Sequence, residues 1–583
     1  MRSSEQIPYG VKDFKQIRLE NLYYVDKTAF IRKMEERARF LFFVRPRRFG
    51  KSLLCETLRC YYDVAEKENF EKLFGDLDIG KNPTKNANRY FVLSLDFSHV
   101  GVQLGATWAD KFESYVDTAL QLLVSAHRAQ LEKVTDVDAL LKIPGAGSKY
   151  ETLVQCAKQL GSGLYVLVDE YDNFTNEIVS TAGKEPYKEI THGTGFYRGW
   201  FKKFKGTCDR IFMTGVSPVT LDDLTSGFNI ATNISQEEGF HAMVGFTSDE
   251  TRRLFEDFHG VGEFTGDVAS HLRTVKAWYD SYCFSEKCVG KESLYNCDMA
   301  LYYLSQLVAT GEPPKDLIDG NIRSDWNKLR LILDAQHRAE ATDGVLPLTE
   351  ELADKGEATF ELVKSFPIEE ICDAKNFKSL YYYYGIVTMG RIDFDTTYYR
   401  VPNECIRRQI FEYMRSVYAR DANPVDIEEF SRLFRGFARD GEWHPLFAYL
   451  ADRYRVSGSV RDGIDGEARI NGFIRAYLTM KSHFLVRPEL EQNGGFSDYA
   501  LFPDLNAGPA TPRHSYVIEL KHSKADASDA EIAKKHEEAL EQLKKYSEDP
   551  NLAALAAGTS VHFLCYEFKG RELVRLEEVE MKE

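Results

Sequence analysis

Short, almost continuous apolar runs separated by helical stretches dominate the first 250 residues of the chain. Each of the four clearest runs stops at polar residues: Arg39–Arg45, Tyr90–Ser98, Leu164–Asp172 and Arg210–Ser217. Strands of a parallel sheet are buried on both faces, so they read as continuous apolar runs of this kind. The pattern therefore predicts an α/β core with a buried parallel sheet over residues 1–250.

The pattern changes to a mostly helical one over residues 251–424. Within this region the stretch Leu380–Met414 predicts the end of a helix, a hairpin and a second helix. That order is typical of a winged-helix-like unit, although other α+β packing modules share it. We expect a helical and winged-helix-like middle region.

A third block, residues 425–583, alternates again between helices and strands. Apolar residues recur at helical spacing in Glu467–Met480, and Asp529–Tyr546 reads as an amphipathic helix. The runs Asp498–Phe502 and Ser515–Lys521 predict strands, and Val561–Phe568 predicts a closing strand. The polar segment 505–514 predicts a loop between strands. The block is expected to form a separate α/β domain.

Composition sets the broad class of the protein. At 583 residues the chain is too long for one hydrophobic core, and 43% hydrophobic with 28% charged residues is ordinary for a globular protein. No apolar run approaches the length of about 20 residues that spans a bilayer, so we expect a cytoplasmic protein with no membrane partner. The net charge of −16 opposes non-specific adhesion to nucleic acid, so a nucleic-acid site needs specific residues.

The first candidate site follows the first predicted strand, where Gly50, Lys51 and Ser52 match the end of a phosphate-binding loop. The position of the usual first glycine holds Arg45. In such a loop Lys51 reaches the β- and γ-phosphates of ATP, and Ser52 holds Mg²⁺. Which way the loop arginines Arg45, Arg47 and Arg48 face is left open between the phosphates and a neighbouring acidic surface.

Two further strand ends strengthen this assignment. Asp169 and Glu170 directly follow a buried strand, so Asp169 is placed to bind Mg²⁺ and Glu170 to polarise the attacking water. Asp96 ends another run, but no glutamate follows it. Thr214 ends a later strand, where it is placed to sense the γ-phosphate. The set predicts binding of ATP with Mg²⁺.

The second candidate site lies in the last block. Glu519 and Lys521 are two residues apart on a strand and share one face, and Asp498 begins an earlier strand. An aspartate and a glutamate that converge at a sheet edge bind Mg²⁺ or Mn²⁺, and Lys521 positions water or stabilises developing charge. A salt-bridged pair at a strand end is the alternative explanation, and Asp504 is the alternative metal-binding aspartate.

These motifs resemble those of bacterial AAA-ATPase-like proteins with a C-terminal PD-(D/E)XK nuclease domain. The resemblance rests on residues 7–31, "RPRRFGKSLL", "VLVDEYDN", "MTGVSPV", "WYDSYCF", "YRVPNECIR" and the last block. It implies that the loop begins with Arg-Pro-Arg-Arg and that Arg48 joins Gly50 and Lys51 in binding nucleotide. It also implies an additional catalytic acid, Glu467, and a supporting Gln542 that forms a Q-x-x-x-Y element with Tyr546. Tyr24–Thr28 belongs to the resemblance too, either near the adenine or as a structural turn.

The predicted function is therefore an ATP-binding and ATP-hydrolysing protein coupled to a magnesium-dependent nuclease. The resemblance favours DNA over RNA as substrate and leaves a homo-oligomer open. The alternative is a nucleotide-controlled signalling or switch ATPase, whose C-terminal fold binds a partner or nucleic acid without cutting it. The intact set of Asp498, Glu519 and Lys521 favours the nuclease.

Overall fold

The computed structural model divides the chain into two compact units. The first comprises Met1–Pro314 and Thr359–Tyr399, and the second comprises Lys315–Ala358 and Arg400–Glu583. The predicted middle region is thus shared between the two units. The structure describes residues 6–100, 107–182, 184–191, 195–218, 231–320, 345–367, 370, 373–418, 425–456, 466–480, 483–492, 495–504, 511–556 and 558–581.

A five-stranded parallel sheet forms the core of the first unit, as the apolar runs predict. Its strands run side by side in the order β2, β3, β4, β1, β5, and every described pairing is parallel. Residues such as Phe42, Val166 and Phe212 are fully buried in these strands. This order brings the carboxyl ends of β1, β3 and β4 next to one another. The strands are β1 (Phe40–Val44), β2 (Tyr90–Asp96), β3 (Gly163–Asp169), β4 (Arg210–Gly215) and β5 (Thr232–Asn233).

Helices of the first unit surround this sheet and continue beyond it. Many begin at an expected cap; for example, Thr107 and Asp110 form a reciprocal capping box at the start of the longest helix of this unit. The α-helices are Phe14–Leu19, Ala29–Arg37, Lys51–Tyr62, Phe70–Phe74, Asp78–Lys81, Trp108–Ala126, Arg128–Leu131, Val137–Leu141, Ala146–Gln159, Asn173–Ala182, Lys184–Thr191, Phe196–Thr207, Ser248–Gly260, Val268–Tyr279, Cys297–Thr310 and Ala374–Tyr383.

Short strands complete this unit and mark its border. β6 (Phe246–Thr247) pairs antiparallel with β7 (Leu294–Tyr295), and β8 spans Glu357–Thr359. The Ala374–Tyr383 helix, β9 (Thr388–Asp393) and β10 (Thr396–Arg400) follow one another, with the Glu404–Tyr418 helix next in the chain. The predicted order of helix, hairpin and helix is therefore present, and its identity as a winged helix stays a prediction.

The second unit is built on a five-stranded mixed sheet in the order β11, β12, β13, β14, β15. β13 and β14 are parallel, and the other neighbours are antiparallel. The strands are β11 (Phe484–Gln492), β12 (Gly495–Pro503), β13 (His514–Ser523), β14 (Ser560–Lys569) and β15 (Glu572–Glu578). Its helices are Val345–Lys355, Glu404–Tyr418, Ile427–Asp440, Trp443–Val456, Glu467–Leu478, Asp529–Ser547 and Pro550–Leu555.

The Asp529–Ser547 helix covers one face of this sheet. Its Ala539, Leu543 and Tyr546 are fully buried against Val517 and Cys565 of the central strands. The prediction that Val561–Phe568 closes the domain is wrong, because β15 follows β14 through a tight turn. β15 lies at the edge of the sheet, and charged residues interrupt its apolar ones, so it lacks the apolar run that marks a central strand. Of the predicted loop 505–514, residues 505–510 lie outside the described residues.

No helix among the residues that the structure describes has the length and apolar character needed to cross a membrane.

Candidate functional site

The first candidate site surrounds the candidate phosphate loop, Arg45–Gly50. The loop joins the end of β1 to the Lys51–Tyr62 helix, and Gly50 precedes that helix with a left-handed φ of 94°. The first turn of the helix therefore presents backbone N–H groups at the end of the sheet, an arrangement that suits phosphate. Lys51 is buried, and its Nζ donates to the carbonyl oxygens of Arg45 at 3.0 Å and Pro46 at 2.9 Å.

Two acidic residues lie at the end of β3, close to Lys51. Asp169 is buried and accepts a hydrogen bond from the Ser52 side chain, so the predicted Mg²⁺ ligands Ser52 and Asp169 do meet. Burial raises the pKa of Asp169, although Ser52 and Lys51 act in the opposite direction. Burial also raises the pKa of Glu170, against the charges of Lys51 and Arg47. Glu170 has a φ of 48°, a left-handed conformation that is uncommon for a side-chain-bearing residue.

Thr214 occupies the end of β4, beside β1 in the sheet. It pairs with Phe43 and is fully buried. Its Oγ1 has no hydrogen-bond partner among the described residues. A buried hydroxyl left unpaired costs about 1–3 kcal/mol, so a ligand or water that bonds to Thr214 would relieve that cost.

The three arginines of the loop have different surroundings. Arg45 is buried, its guanidinium lying 4.4 Å from the ring centres of Phe43 and Phe284, and its Nη1 donates to the Ser235 carbonyl at 2.5 Å. Arg45 therefore faces neither phosphates nor a neighbouring surface. Burial lowers its pKa to about 10.

Arg48 forms an ion pair with Asp298 of the same chain, with 2.6 Å between Nη1 and Oδ2. Arg47 is the loop arginine whose charge acts on both Lys51 and Glu170. Residue spacing did not single it out, because "RPRR" contains three arginines in equivalent sequence contexts.

The segment Tyr24–Thr28 has the contacts of a structural turn. Asp26 accepts hydrogen bonds from the backbone N–H of Thr28 and of Asp78, both at 2.8 Å. Lys27 forms an ion pair with Glu250 at 2.6 Å. Burial raises the pKa of Tyr24, whose hydroxyl bonds to the Thr57 side chain. These contacts favour the structural alternative for this segment.

The second candidate site lies where β12 and β13 leave the core of the second unit. Asp498 Oδ2 accepts a hydrogen bond from the Leu520 backbone N–H at 2.6 Å, so its carboxylate lies directly beside β13. Lys521 Nζ donates to Glu519 Oε1 at 2.6 Å. Glu467 Oε2 accepts from the His522 backbone N–H at 3.2 Å. The structure thus brings together Glu467, Asp498, Glu519 and Lys521.

Burial and repulsion between charges make ionisation of Asp498 and Glu519 unfavourable. The pKa of Asp498 is raised well above its ordinary value by burial, then by the charges of Glu519 and Glu467. Burial raises the pKa of Glu519 to about 7, with Lys521 opposing and Glu467 adding to the rise. Burial lowers the pKa of Lys521, but Glu519 and the other carboxylates raise it more. A divalent cation bound by oxygen ligands would relieve this repulsion.

A second observation also indicates that these carboxylates suit a divalent cation. Glu519 Oε2 is buried and lacks a hydrogen-bond partner within the described part of the chain, while its Oε1 accepts from Lys521. The alternative aspartate, Asp504, is buried, and its charge acts on Arg408, whereas the charges that chiefly raise the pKa of Asp498 are those of Glu519 and Glu467. The geometry therefore favours Asp498 over Asp504.

The Asp529–Ser547 helix supplies the predicted supporting residues. Burial raises the pKa of Tyr546, and the charges of Glu519 and Asp498 raise it further, so its phenol lies near both carboxylates. Gln542 Oε1 is buried and has no hydrogen-bond partner among the described residues.

Two further residues contact this site, and sequence reasoning missed one of them, Arg475. Lys535 Nζ donates to the His522 carbonyl at 2.5 Å, and the buried Arg475 donates to the Asp498 carbonyl and, at 2.6 Å, to the Ala353 carbonyl. The signal in the sequence is the position of Arg475 directly after Ile474 in a helix with many apolar residues, because an arginine is rarely buried there unless it is paired.

A further group of metal-binding residue types lies on the same sheet. His536 Nδ1 and Glu567 Oε1 are 2.6 Å apart, and Cys565 Sγ donates to the same oxygen at 3.2 Å. Arg575 contacts His536 Nε2 at 2.7 Å and Glu567 Oε2 at 3.4 Å. The arginine already neutralises the buried glutamate, so this group is explained as a hydrogen-bonded network.

Comparisons with known proteins agree with the division of the chain. Residues 8–225 match the model of a family described as predicted AAA-ATPase, and residues 465–578 match the model of the PD-(D/E)XK nuclease superfamily. An uncharacterized protein in the vnfD 5′ region of Azotobacter chroococcum mcd 1 is 26% identical over 288 residues, which are 49% of this chain and 50% of that protein. The chain thus spans about half the length of this curated relative.

Proposed function

We propose that this chain, which joins an AAA-ATPase-like domain to a PD-(D/E)XK nuclease superfamily domain, couples ATP binding and hydrolysis to metal-dependent hydrolysis of nucleic-acid phosphodiesters. DNA is the proposed substrate in preference to RNA. The observation that carries the nuclease is the convergence of Glu467, Asp498 and Glu519 with Lys521 at the interior strands β12 and β13. A module that only binds a partner has no need of repelling, buried carboxylates.

Asp498 and Glu519 would hold Mg²⁺ or Mn²⁺ in the nuclease, with Glu467 as an additional acid. When bound, the ion supplies an activated water and neutralises charge on the phosphodiester. Lys521, now paired with Glu519, holds a positive charge where it orients water or stabilises the charge that develops on phosphorus oxygens. Gln542 and Tyr546 support these groups from the covering helix.

Lys51, Ser52 and Asp169 would hold ATP and Mg²⁺ in the first unit. Gly50 leaves the amides of the helix start available, and Arg48, whose guanidinium pairs with Asp298, contributes through the backbone of the loop. Lys51 must exchange the carbonyl oxygens of Arg45 and Pro46 for phosphate oxygens when nucleotide binds. Glu170 is the proposed group that polarises the attacking water, because its raised pKa suits proton transfer better than an ordinary carboxylate. Thr214 contributes a hydroxyl to the γ-phosphate.

The test is cleavage of plasmid DNA, linear DNA and RNA by the full chain, with Mg²⁺ or Mn²⁺ and with or without ATP. We expect Glu519→Ala and Lys521→Ala to remove cleavage, and Lys51→Ala to remove ATP binding and the effect of ATP on cleavage. Glu541→Ala, on the exposed side of the Asp529–Ser547 helix, is the matched control. Cleavage that survives both Glu519→Ala and Lys521→Ala would show that the nuclease is assigned to the wrong residues.

The net charge of −16 favours a second candidate, a nucleotide-controlled switch whose C-terminal fold does not cut. Calorimetric titration of the protein with Mn²⁺ separates the two. The nuclease requires binding that Glu519→Ala weakens, whereas the switch predicts ATP binding with no Mn²⁺ bound in the second unit.

A further inference from the structure

The backbone of the candidate phosphate loop is left-handed at Arg48, with a φ of 68°. A side-chain-bearing residue is disfavoured there because its Cβ approaches the following carbonyl oxygen, and glycine is the residue that adopts this conformation freely. Such a conformation persists only where the surrounding structure holds it in place. The contacts of Arg48 therefore decide whether the loop keeps its shape.

Both the side chain and the backbone of Arg48 are contacted by the start of the Cys297–Thr310 helix, 250 residues along the chain. The Asp298 carboxylate pairs with the Arg48 guanidinium at 2.6 Å, and both side chains are largely shielded from solvent, with exposures of 18% and 24%. The Arg48 carbonyl accepts from Cys297 Sγ at 3.3 Å and from the Asp298 backbone N–H at 3.5 Å. One helix start thus holds Arg48 by both its side chain and its backbone.

The neighbouring loop residues are held from the same part of the first unit. The Phe49 carbonyl accepts from the Gly245 N–H at 2.8 Å, and its ring packs edge-on against Tyr282 with the centres 5.0 Å apart. A Cβ added at Gly50 would lie 3.7 Å from Cys297 Sγ, so this helix start reaches the last residue of the loop as well.

We propose that Asp298 is a positioning residue for the nucleotide site: by fixing the Arg48 side chain, it keeps the left-handed backbone of the loop in the shape that binds phosphate. The inference rests on the proposed nucleotide-binding function of this loop. It makes the affinity for ATP depend on the helical region that carries Asp298. A structural change in that region would therefore alter nucleotide binding through the pair of Asp298 and Arg48.

The experiment is a double-mutant cycle on the full chain. A fluorescent ATP analogue with Mg²⁺ is titrated into wild type, Asp298→Ala, Arg48→Gly and the double variant. We expect Asp298→Ala to weaken binding about fivefold in the wild-type background, as loss of a partly buried ion pair does. In the Arg48→Gly background, where glycine adopts the left-handed conformation without a partner, it should change affinity less than about twofold.

Asp249→Ala is the matched control, because Asp249 also lies in the first turn of a helix and pairs with an arginine, Arg252, at 2.8 Å. Equal weakening by Asp298→Ala in both backgrounds, or no more weakening than Asp249→Ala causes, would overturn the proposal.

Hydrogen exchange of the amides of residues 47–50 without nucleotide separates the positioning role of Asp298 from the proposed binding of nucleotide. Asp298→Ala should speed this exchange in the wild-type background and leave it unchanged in the Arg48→Gly background. If Lys51→Ala binds nucleotide as tightly as wild type, the proposed nucleotide site fails, and the exchange still decides whether Asp298 holds the loop. If Asp298→Ala leaves this hydrogen exchange unchanged, the positioning role of Asp298 is wrong, and the proposed nucleotide site is unaffected.

Discussion

Glu519→Gln is expected to stabilise the second unit when no divalent ion is present. Glu519 is 1% exposed, and burial raises its pKa to about 7. A carboxyl group whose pKa is higher in the folded state than in the unfolded chain keeps its proton longer in the folded state. Stability is therefore greatest at low pH and falls as the pH rises from the ordinary value of 4.5 towards 7. Glutamine carries no such penalty at any pH.

The size of the effect follows from the same pKa. A rise from 4.5 to about 7 corresponds to about 3 kcal/mol of stability lost by pH 8. The substitution also takes away the anionic partner of Lys521, and the raised pKa of that lysine shows that the pair favours its charged form. Lys521 keeps 15% exposure, so it recovers part of this loss through water. We expect a net gain of about 1–3 kcal/mol at pH 8 and none near pH 4.

Urea unfolding in EDTA at both pH values measures the change, with proteolysis of the C-terminal sheet reporting the unfolding of this unit. Glu541→Gln, on the exposed side of the covering helix, serves as the control and should leave stability unchanged. Addition of Mn²⁺ should reverse the order, since an ion bound only to the folded wild type adds stability. A Glu519→Gln variant that is less stable than wild type in EDTA at pH 8 would refute the reasoning.

Two further outcomes concern the first unit. Arg45→Ala should lower the free energy of unfolding by about 3 kcal/mol, and Arg45→Lys should not restore it, because the planar guanidinium fills the space between Phe43 and Phe284. Urea unfolding measures this change, and an Arg45→Ala variant of unchanged stability would contradict the prediction. Burial lowers the pKa of His127, but its hydrogen bond and ion pair with Asp63 at 2.6 Å raise it more. Its contribution to stability is thus complete below about pH 6.5 and is lost as the pH rises through the raised pKa, and Asp63→Asn should flatten the profile.

The strands of both sheets could be located from the sequence wherever burial on both faces left an unbroken apolar run. β1 to β4 and β13 have such runs, and the structure places them within a few residues of the predicted bounds. β11 and β15 were not predicted, because β11 contains Pro488 and several charges and charged residues interrupt the apolar ones of β15. Edge strands need only one buried face, so their sequences resemble exposed helices or loops.

Part of the carboxylate cluster in the second unit could be predicted, because strand alternation places Glu519 and Lys521 on one face and the family resemblance adds Glu467. The choice between Asp498 and Asp504 depended on pairing with β13, which the Asp498 carboxylate joins through the Leu520 N–H. For a similar reason, the sequence could not predict which way the side chains of the loop arginines point. They are set by Phe284 and Asp298, more than 200 residues away, and no local pattern encodes that packing.

Arginine at the first position of the candidate phosphate loop is explained by the backbone. The left-handed residues of this loop are Arg48 and Gly50, and Arg45 is not among the described residues with positive φ. A glycine at position 45 is therefore not required for conformation, and the side chain there is available to tie the loop to Ser235 and Phe284. The glycine requirement falls instead on position 48, where an arginine is tolerated because Asp298 and Cys297 hold it. The loop thus depends on contacts from distant parts of the chain where the usual pattern depends on glycine, so loss of those contacts is expected to change its shape.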